Sequence, residues 1–374
     1  MLLLIPGPVT TRPEVKAAMT RDWAPWDGAF KSLYAGVRQK VLAVAQAPAA
    51  THTAIALQGS GHFALEAAVR TLVPATGRLL VPLSGSYGTR LARLARETGR
   101  DVVTLAIPQE QPLDPELVAR ALHADPAITH VGLVYSETSS GVVHDPVAVG
   151  AAVRAAGRKM LLDAVSAFGA LPLAMADLPD IEAAVFTANK CLEGMPGLSL
   201  TVARNDALDR AEPAASWSLD LADAYRHGHT HGPGAFRFTP PAQVLAALDV
   251  ALDLHAAEGG QPARLARYTA NARILYRGMQ RIGLTPYLPD GVQGPIVMNV
   301  RAPSDPVWSL PSFVDRLKAH GFLISNFFDT PEPSFRVGCI GQVFPADMEA
   351  FSDAVDAVLA ELKLCRRSPD RRAA

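Results

Sequence analysis

Between residues 53 and 204 the chain repeats one pattern, a short and nearly uninterrupted apolar run followed by a longer Ala-, Leu- and Arg-rich stretch with helical spacing. Runs of this kind bury both faces, as strands of a parallel sheet do, and the intervening stretches are long enough to act as crossover helices. An α/β fold with a mostly parallel sheet follows. Strands are predicted at 53–57, 78–82, 102–106, 130–135, 159–163 and 183–187, with 198–203 after them. Between them, Asp114-Pro115 and Asp145-Pro146 each place an N-cap and a first-turn proline before a helix, and Gly99 and Gly157 stand where helix C-caps belong. Open parallel sheets bind ligands at the carboxyl ends of their strands. The residues just after each apolar run are therefore the first candidates for chemistry.

The chain has 374 residues, 49% hydrophobic and 19% charged, which suffices for one large domain and a smaller one and excludes disorder of the whole. Thirty-five Lys and Arg against 36 Asp and Glu leave a formal charge of −1. Nucleic acid and anionic membrane are not expected as partners. The apolar residues 1–5 carry no basic lead and are stopped by Pro6-Gly7-Pro8, too short for a signal segment or a membrane span, so a cytoplasmic location is the expectation. Cys191, Cys339 and Cys365 are far apart and imply neither a disulfide framework nor a zinc site.

Beyond 204 the rhythm breaks. Residues 205–240 read as a loop rich in His, Gly and Pro, followed by long amphipathic stretches at 241–257 and 263–282. Segments 297–300, 313–320, 335–338 and 348–364 read as a small α+β unit, and 365–374 as a frayed, solvated tail. The expected division is an N-terminal segment at 1–15 packing near the active site, a large domain at 16–260, a small C-terminal domain at 261–364, and the tail. Residues 4–11 are too proline-rich for a helix and are expected to pack across another element. Trp23 and Trp26 read as core or interface packing.

Three clusters carry chemistry. Gln58-Gly59-Ser60-Gly61-His62 follows a strand and opens a helix, so its backbone N–H groups and the positive end of the helix dipole suit a phosphate; a merely tight turn is the plain alternative. The next strand ends without the acid that a dinucleotide's ribose requires, which argues against NAD. Asp163 ends an apolar strand and must be paired there, by a protonated pyridine nitrogen, by a salt bridge, or as an N-cap. Lys190 follows one strand later among small residues and before a Gly/Pro loop. An amine near a phosphate turn and a buried carboxylate is what pyridoxal phosphate chemistry needs.

At this point the sequence resembles a family. Pro6-Gly7-Pro8, Gln58-Gly59-Ser60-Gly61, Tyr135-Ser136-Glu137-Thr138-Ser139-Ser140-Gly141, Asp163-Ala164-Val165-Ser166-Ala167-Phe168-Gly169 and Ala188-Asn189-Lys190-Cys191 are together similar to class V aminotransferases of fold type I. Leu219-Asp220-Leu221, Arg237-Phe238-Thr239, Glu258-Gly259-Gly260 and the run from Phe335 to Gly341 extend the likeness over nearly the whole chain except its tail. Within the family it most resembles the branch that moves the amino group of 2-aminoethylphosphonate to pyruvate; an alanine- or serine-glyoxylate transaminase is the alternative.

The resemblance implies a large domain with a mostly parallel seven-stranded sheet, a small C-terminal α+β domain, and a homodimer with pyridoxal 5′-phosphate at the subunit boundary. By position it gives Lys190 as the residue that carries the cofactor and moves the proton, and Asp163 as the partner of the ring nitrogen. It assigns Ser60, Gly61 and His62 to the cofactor phosphate, with Thr239 reaching it from the partner subunit, and Tyr87, Thr138 and Ser166 to the region of the ring. Pro8 and Arg336 would meet the substrate, an amino donor or a 2-oxo acid acceptor. Without the resemblance, Arg336 reads as a strand-edge surface residue. His62, Ala167 and Ala170 depart from the small hydroxyl residue, serine and glycine that the pattern leads one to expect.

His227, His229 and His231 have period-two spacing that an extended backbone would turn into a metal site. Flanking Gly and Pro favour an irregular, solvated or dimer-contact loop instead, so no metal is expected. A non-catalytic binding relative is disfavoured by the intact Lys190 and Asp163. A cysteine desulfurase is disfavoured because Cys191 follows the lysine and Cys339 lies in the arginine motif.

Overall fold

The computed structural model describes residues 1–364, so the expected tail lies outside the described residues. A short strand β1 (Leu2–Leu3) precedes β2 (His52–Gln58), β3 (Arg78–Leu83), β4 (Asp101–Ala106), β5 (Ile128–Val134), β6 (Lys159–Asp163), β7 (Ile181–Thr187) and β8 (Leu198–Arg204). These last seven form one sheet in the order β2-β8-β7-β6-β5-β3-β4. The strands from β4 through β7 in that order run parallel, while β8 is antiparallel to both β7 and β2. The predicted runs fall on these strands, with ends displaced by one or two residues.

Alternation along each strand sends side chains to opposite faces. Leu80, Met160, Leu162, Ala184 and Phe186 join one apolar cluster, with Phe30 and Val37 of the helix Gly28–Val44 and Leu245 of the helix Ala242–Glu258. Leu79, Val81, Leu161, Ala183 and Val185 join another, with Leu65 and Val69 of the helix Gly61–Leu72 and Leu91 of the helix Ser86–Glu97. Both faces are thus covered, which is why the strands read as continuous apolar runs. Asp114 accepts from the Glu116 N–H and Asp145 from those of Val147 and Ala148, so both predicted caps form. Gly99 and Gly157 take φ of +81° and +66° just past their helices, where other residues would be strained.

A second sheet pairs β9 (Val297–Arg301) antiparallel with a strand at Ser334–Gly338, and between them in sequence lies β10 (Phe322–Leu323), which pairs parallel with β1. With Ser334–Gly338 as β11, this part is closed by the helices Leu310–Ala319 and Pro345–Glu361 around its own apolar cluster, which includes Phe313, Phe335 and Phe351. The helix Gly260–Arg281 serves both parts. Its Tyr268 lies in the main-sheet core and its Leu275 and Met279 lie in the other. Residues 4–11 do run across other elements: the Gly338 N–H donates to Leu4 O and the Gln342 N–H to Thr10 O, both at 2.8–2.9 Å.

One expectation fails. Residues 205–240 are not all loop, because Asn205–Arg210 and Leu221–His231 are helices. Asp220 caps the second by accepting from the Asp223 N–H at 2.8 Å, and Leu221, Ala222 and Tyr225 supply its buried face. Gly228 costs that helix stability without ending it.

Candidate active site

The carboxyl edge of the parallel strands gathers the predicted residues. Asp163 is the last residue of β6, held in register between Val134 of β5 and Val185 of β7. It is 6% exposed, and its Oδ1 accepts the Val165 N–H at 3.0 Å. Burial pushes its carboxyl up to about 6, a rise that Val165 and the nearby Lys190 oppose and Glu137 adds to. Lys190 lies in the turn after β7, 9% exposed, with Nζ 5.9 Å from the centroid of the Tyr87 ring. Burial lowers its amine to about 8, against the pull of Cys191 and Asp163, and Arg336 and Arg90 push the same way as burial. Desolvation thus moves acid and amine toward neutrality from opposite sides. Gly7 packs on the lysine stem: a Cβ there would lie 2.9 Å from Lys190 Cγ, and its φ of +146° suits glycine alone. That contact brings Pro6-Gly7-Pro8 to the site.

The turn that opens the helix Gly61–Leu72 is close by. Ser60 is the N-cap of Gly61–Leu72 but its side chain makes no cap bond, which leaves first-turn N–H groups for a ligand. A Cβ on Gly61 would lie 2.5 Å from Val165 Cγ2, so the helix start is pressed against the turn that follows Asp163. Ser60 and His62 are exposed. Thr239 is exposed too, and Gln58 Nε2 donates to its backbone oxygen within the same chain. It lines a cleft of about 560 Å³ with Gln58, Phe63, Phe238 and Arg237.

Thr138 and Ser166 form a buried relay. The Thr138 hydroxyl donates to Ser166 Oγ at 3.0 Å, and Ser166 donates to Ser136 O at 2.8 Å. Tyr87 is the second residue of Ser86–Glu97, with the Arg90 guanidinium 4.9 Å from its ring centroid. Burial raises its phenol above the usual value, with Arg336 and Arg90 opposing.

Arg336 is 1% exposed, not the strand-edge surface residue that the bare sequence suggests. Its register partner on β9 is Asn299, whose Nδ2 donates to Ser139 O and Ser140 O at 2.9 and 3.0 Å, so the second sheet is bonded directly to the edge of the first. Arg336 Nη1 donates to Thr138 O at 3.1 Å and to Asp329 Oδ2 at 3.2 Å, and Phe327 lies 4.6 Å from the guanidinium.

Sequence reasoning missed several supports. Glu137, fully buried, accepts from the N–H groups of Tyr87, Gly88 and Ser139 and from the Ser139 hydroxyl, so it fixes the start of the Tyr87 helix. Its signal was an acid between two buried hydroxyl residues at a strand end. Glu193, in the left-handed region at φ +57°, accepts from Tyr268 and Arg267 at 2.7 Å and from Gln342. Arg264 donates to Cys191 O at 2.5 Å and pairs with Glu258 at 2.7 Å. The lysine loop is thereby clamped to the helix Gly260–Arg281 by charges that no local pattern marks. Asp329 and Phe327 gave no signal at all.

His227, His229 and His231 lie in the last turns of Leu221–His231, so the irregular backbone expected there is a helix. His227 and His231, one turn apart, have ring centroids 4.4 Å from each other. Among the described residues no group of His, Cys, Asp and Glu is arranged to hold a metal, and no helix is long and apolar enough to cross a membrane.

Comparison with known proteins places this edge in context. The chain is 43% identical over 364 residues to a 2-aminoethylphosphonate–pyruvate transaminase of Pseudomonas entomophila, covering 97% of this chain and 98% of that protein. It is 41% identical to one of Burkholderia ambifaria, covering 96% of both. Among solved structures, a pyridoxamine–pyruvate aminotransferase of Mesorhizobium loti superimposes with a TM-score of 0.88 at 27% identity, covering 98% of this chain and 94% of that one. An alanine–glyoxylate aminotransferase of Nostoc sp. gives 0.86 at 26%, covering 96% and 95%. The fold is that of fold type I aminotransferases. Residues 14–301 match the family model described as aminotransferase class-V, and the chain belongs to the class V aminotransferases.

Proposed function

We propose that the chain is a pyridoxal 5′-phosphate-dependent aminotransferase that converts 2-aminoethylphosphonate and pyruvate to phosphonoacetaldehyde and L-alanine, acting as a homodimer. The observation that carries the reading is a buried amine, Lys190, set near a buried carboxylate, Asp163, in a chain alike end to end to transaminases of that name. The residues present fit the cofactor. A helix start without a side-chain cap suits its phosphate, a carboxylate at a strand end suits a protonated ring nitrogen, and the face of Tyr87 suits a flat ring.

When bound, the cofactor supplies an aldehyde for the amine and a ring that draws electrons from the bond being broken. The chain does the rest. Asp163 keeps a proton on the ring nitrogen, because a carboxylate already costly in its site gains most from a cation beside it. Lys190, with its amine lowered to about 8, is neutral in a useful fraction near neutral pH and takes the proton from the donor's carbon. Thr138 and Ser166 orient the ring hydroxyl, and the first turn after Ser60 holds the phosphate. Arg336 receives the donor's phosphonate and then the acceptor's carboxylate, which predicts ping-pong kinetics.

A dimer is supported by the aromatic groups left exposed beside Thr239. Phe238 is 50% exposed and meets Trp217, itself 69% exposed, edge-on at 5.0 Å. Incubating the loaded protein with 2-aminoethylphosphonate and pyruvate, with alanine and serine against glyoxylate in parallel, tests the substrate. Alanine formed from the phosphonate donor at the highest kcat/KM of the set is the expected result; turnover of carboxylate donors alone rejects it.

A further inference from the structure

Arg336 is an almost wholly buried cation whose hydrogen bonding is incomplete. Its Nε is buried and has no hydrogen-bond partner among the described residues. The bonds it does make leave from Nη1 alone, at 3.1 Å to Thr138 O and 3.2 Å to Asp329 Oδ2. Charge-assisted pairs that exist for structure are shorter, about 2.7–2.9 Å, and use more of the fork. The same chain shows the contrast: Arg264 meets Glu258 at 2.7 Å from Nη2 and 2.8 Å from Nε, and Arg267 meets both Glu193 and Glu258.

Asp329 is placed to let go. Its side chain is 30% exposed against 2% for that of Arg336, and it sits between β10 and β11 in a stretch with neither helix nor strand. The residue after it is anchored, since the Thr330 hydroxyl lies 2.6 Å from Ser334 Oγ and donates to Glu332 O at 2.9 Å. Rotation of the Asp329 side chain therefore moves the carboxylate without moving the strand. Phe327 covers the guanidinium. An anion arriving at Arg336 meets a position that a carboxylate already holds.

We propose that Asp329 is a positioning residue that keeps Arg336 oriented and paired between turnovers, and that the anionic head of each substrate exchanges with it. This rests on the reading of Arg336 as the anion-binding residue. The exchange has two effects. A buried cation is never left without a counter-charge, which would be costly. Every incoming anion must also displace the aspartate, which raises KM for donor and acceptor alike, and the returning aspartate helps expel each anionic product.

Asp329→Asn in the loaded enzyme, with Asp329→Ala as a second variant that removes the carboxylate and its amide mimic, provides the test. For both 2-aminoethylphosphonate and pyruvate, KM is expected to fall about 5- to 20-fold with kcat held or slightly lowered, and inhibition by methylphosphonate should tighten in parallel. Reaction of the bound cofactor with n-propylamine, which lacks an anionic head, should be unchanged. A KM that stays constant or rises in folded variants overturns the proposal. Arg336→Ala separates the two levels. If it raises KM for both substrates at least about 30-fold while the Asp329 variants do not lower it, the exchange is wrong and the anion site stands; if it leaves KM unchanged, the anion site falls and the exchange with it.

Discussion

The two flanks of the site are built differently. On the inner flank Lys190, Asp163, Ser166 and Thr138 are buried, and hydrogen bonds or packing within one chain fix each of them. On the outer flank Ser60, His62 and Thr239 are exposed, and the Thr239 backbone oxygen accepts from Gln58 of its own chain. Parallel topology accounts for where the inner flank gathers, because adjacent strands must deliver their ends to one edge. The outer flank is not finished by the same means. Phosphate, solvent or another copy of the chain has to complete it.

The sharpest break in that comparison is Lys190→Ala. Losing the inner amine should cut amino transfer by about 10⁴-fold or more while circular dichroism shows the fold intact. In the unaltered cofactor-free chain, the rate of cofactor uptake should climb with pH and reach half its limit near 8, where the lowered amine loses its proton. A midpoint near 10 would mean that burial does not tune this lysine.

Asp163→Asn should lower the rate by about 10²–10³-fold and yet stabilise the cofactor-free protein. In the folded chain the carboxyl is raised to about 6 from an ordinary 3.8, so its ionised form is the costly one. Below pH 4 both states hold the proton and the aspartate costs nothing. Between about pH 4 and 6 the unfolded chain ionises while the folded one does not, so the cost builds over that range and is complete above 6; the Asn variant should gain about 1–3 kcal/mol at pH 8 and much less at pH 4 by urea titration. Equal stability at both pH values would show the inner flank to be less dry than its burial implies.

Thr239→Ala addresses the outer flank and should weaken cofactor binding by about 10-fold. Mixing it with Lys190→Ala chains sharpens the test. If Thr239 acts across the boundary between subunits, each mixed dimer regains one complete site, and activity returns on mixing. No recovery would place Thr239 in service of its own chain. His62→Ser should matter least, with cofactor affinity changing by less than about 3-fold, because an exposed imidazole competes with water for the phosphate.

Much of this was legible in the sequence, and for one reason. Where local pattern and tertiary role agree, as in the apolar runs ending at Asp163 and Thr187 or the caps at Asp114 and Asp145, reading the residues places the element and its end. Leu221–His231 was misread because Gly228 and three histidines weaken the helical signal that Asp220 and the buried Leu221, Ala222 and Tyr225 restore. Arg336 looked exposed since its burial depends on a loop and on a strand far away in sequence. Glu193, Arg264 and Arg267 escaped notice for the same reason: charges paired across the fold carry no period.

The contact of Gly7 with the lysine stem, beside the pairing of Leu2–Leu3 with Phe322–Leu323, has a consequence for how the molecule is made. Leu2 and Leu3 find their strand partners 320 residues further along the chain. The strands of the main sheet pair over far shorter separations. One wall of the Lys190 turn is thus steadied by a pairing of very long sequence separation, which costs more chain entropy to close than joining neighbouring strands of the main sheet.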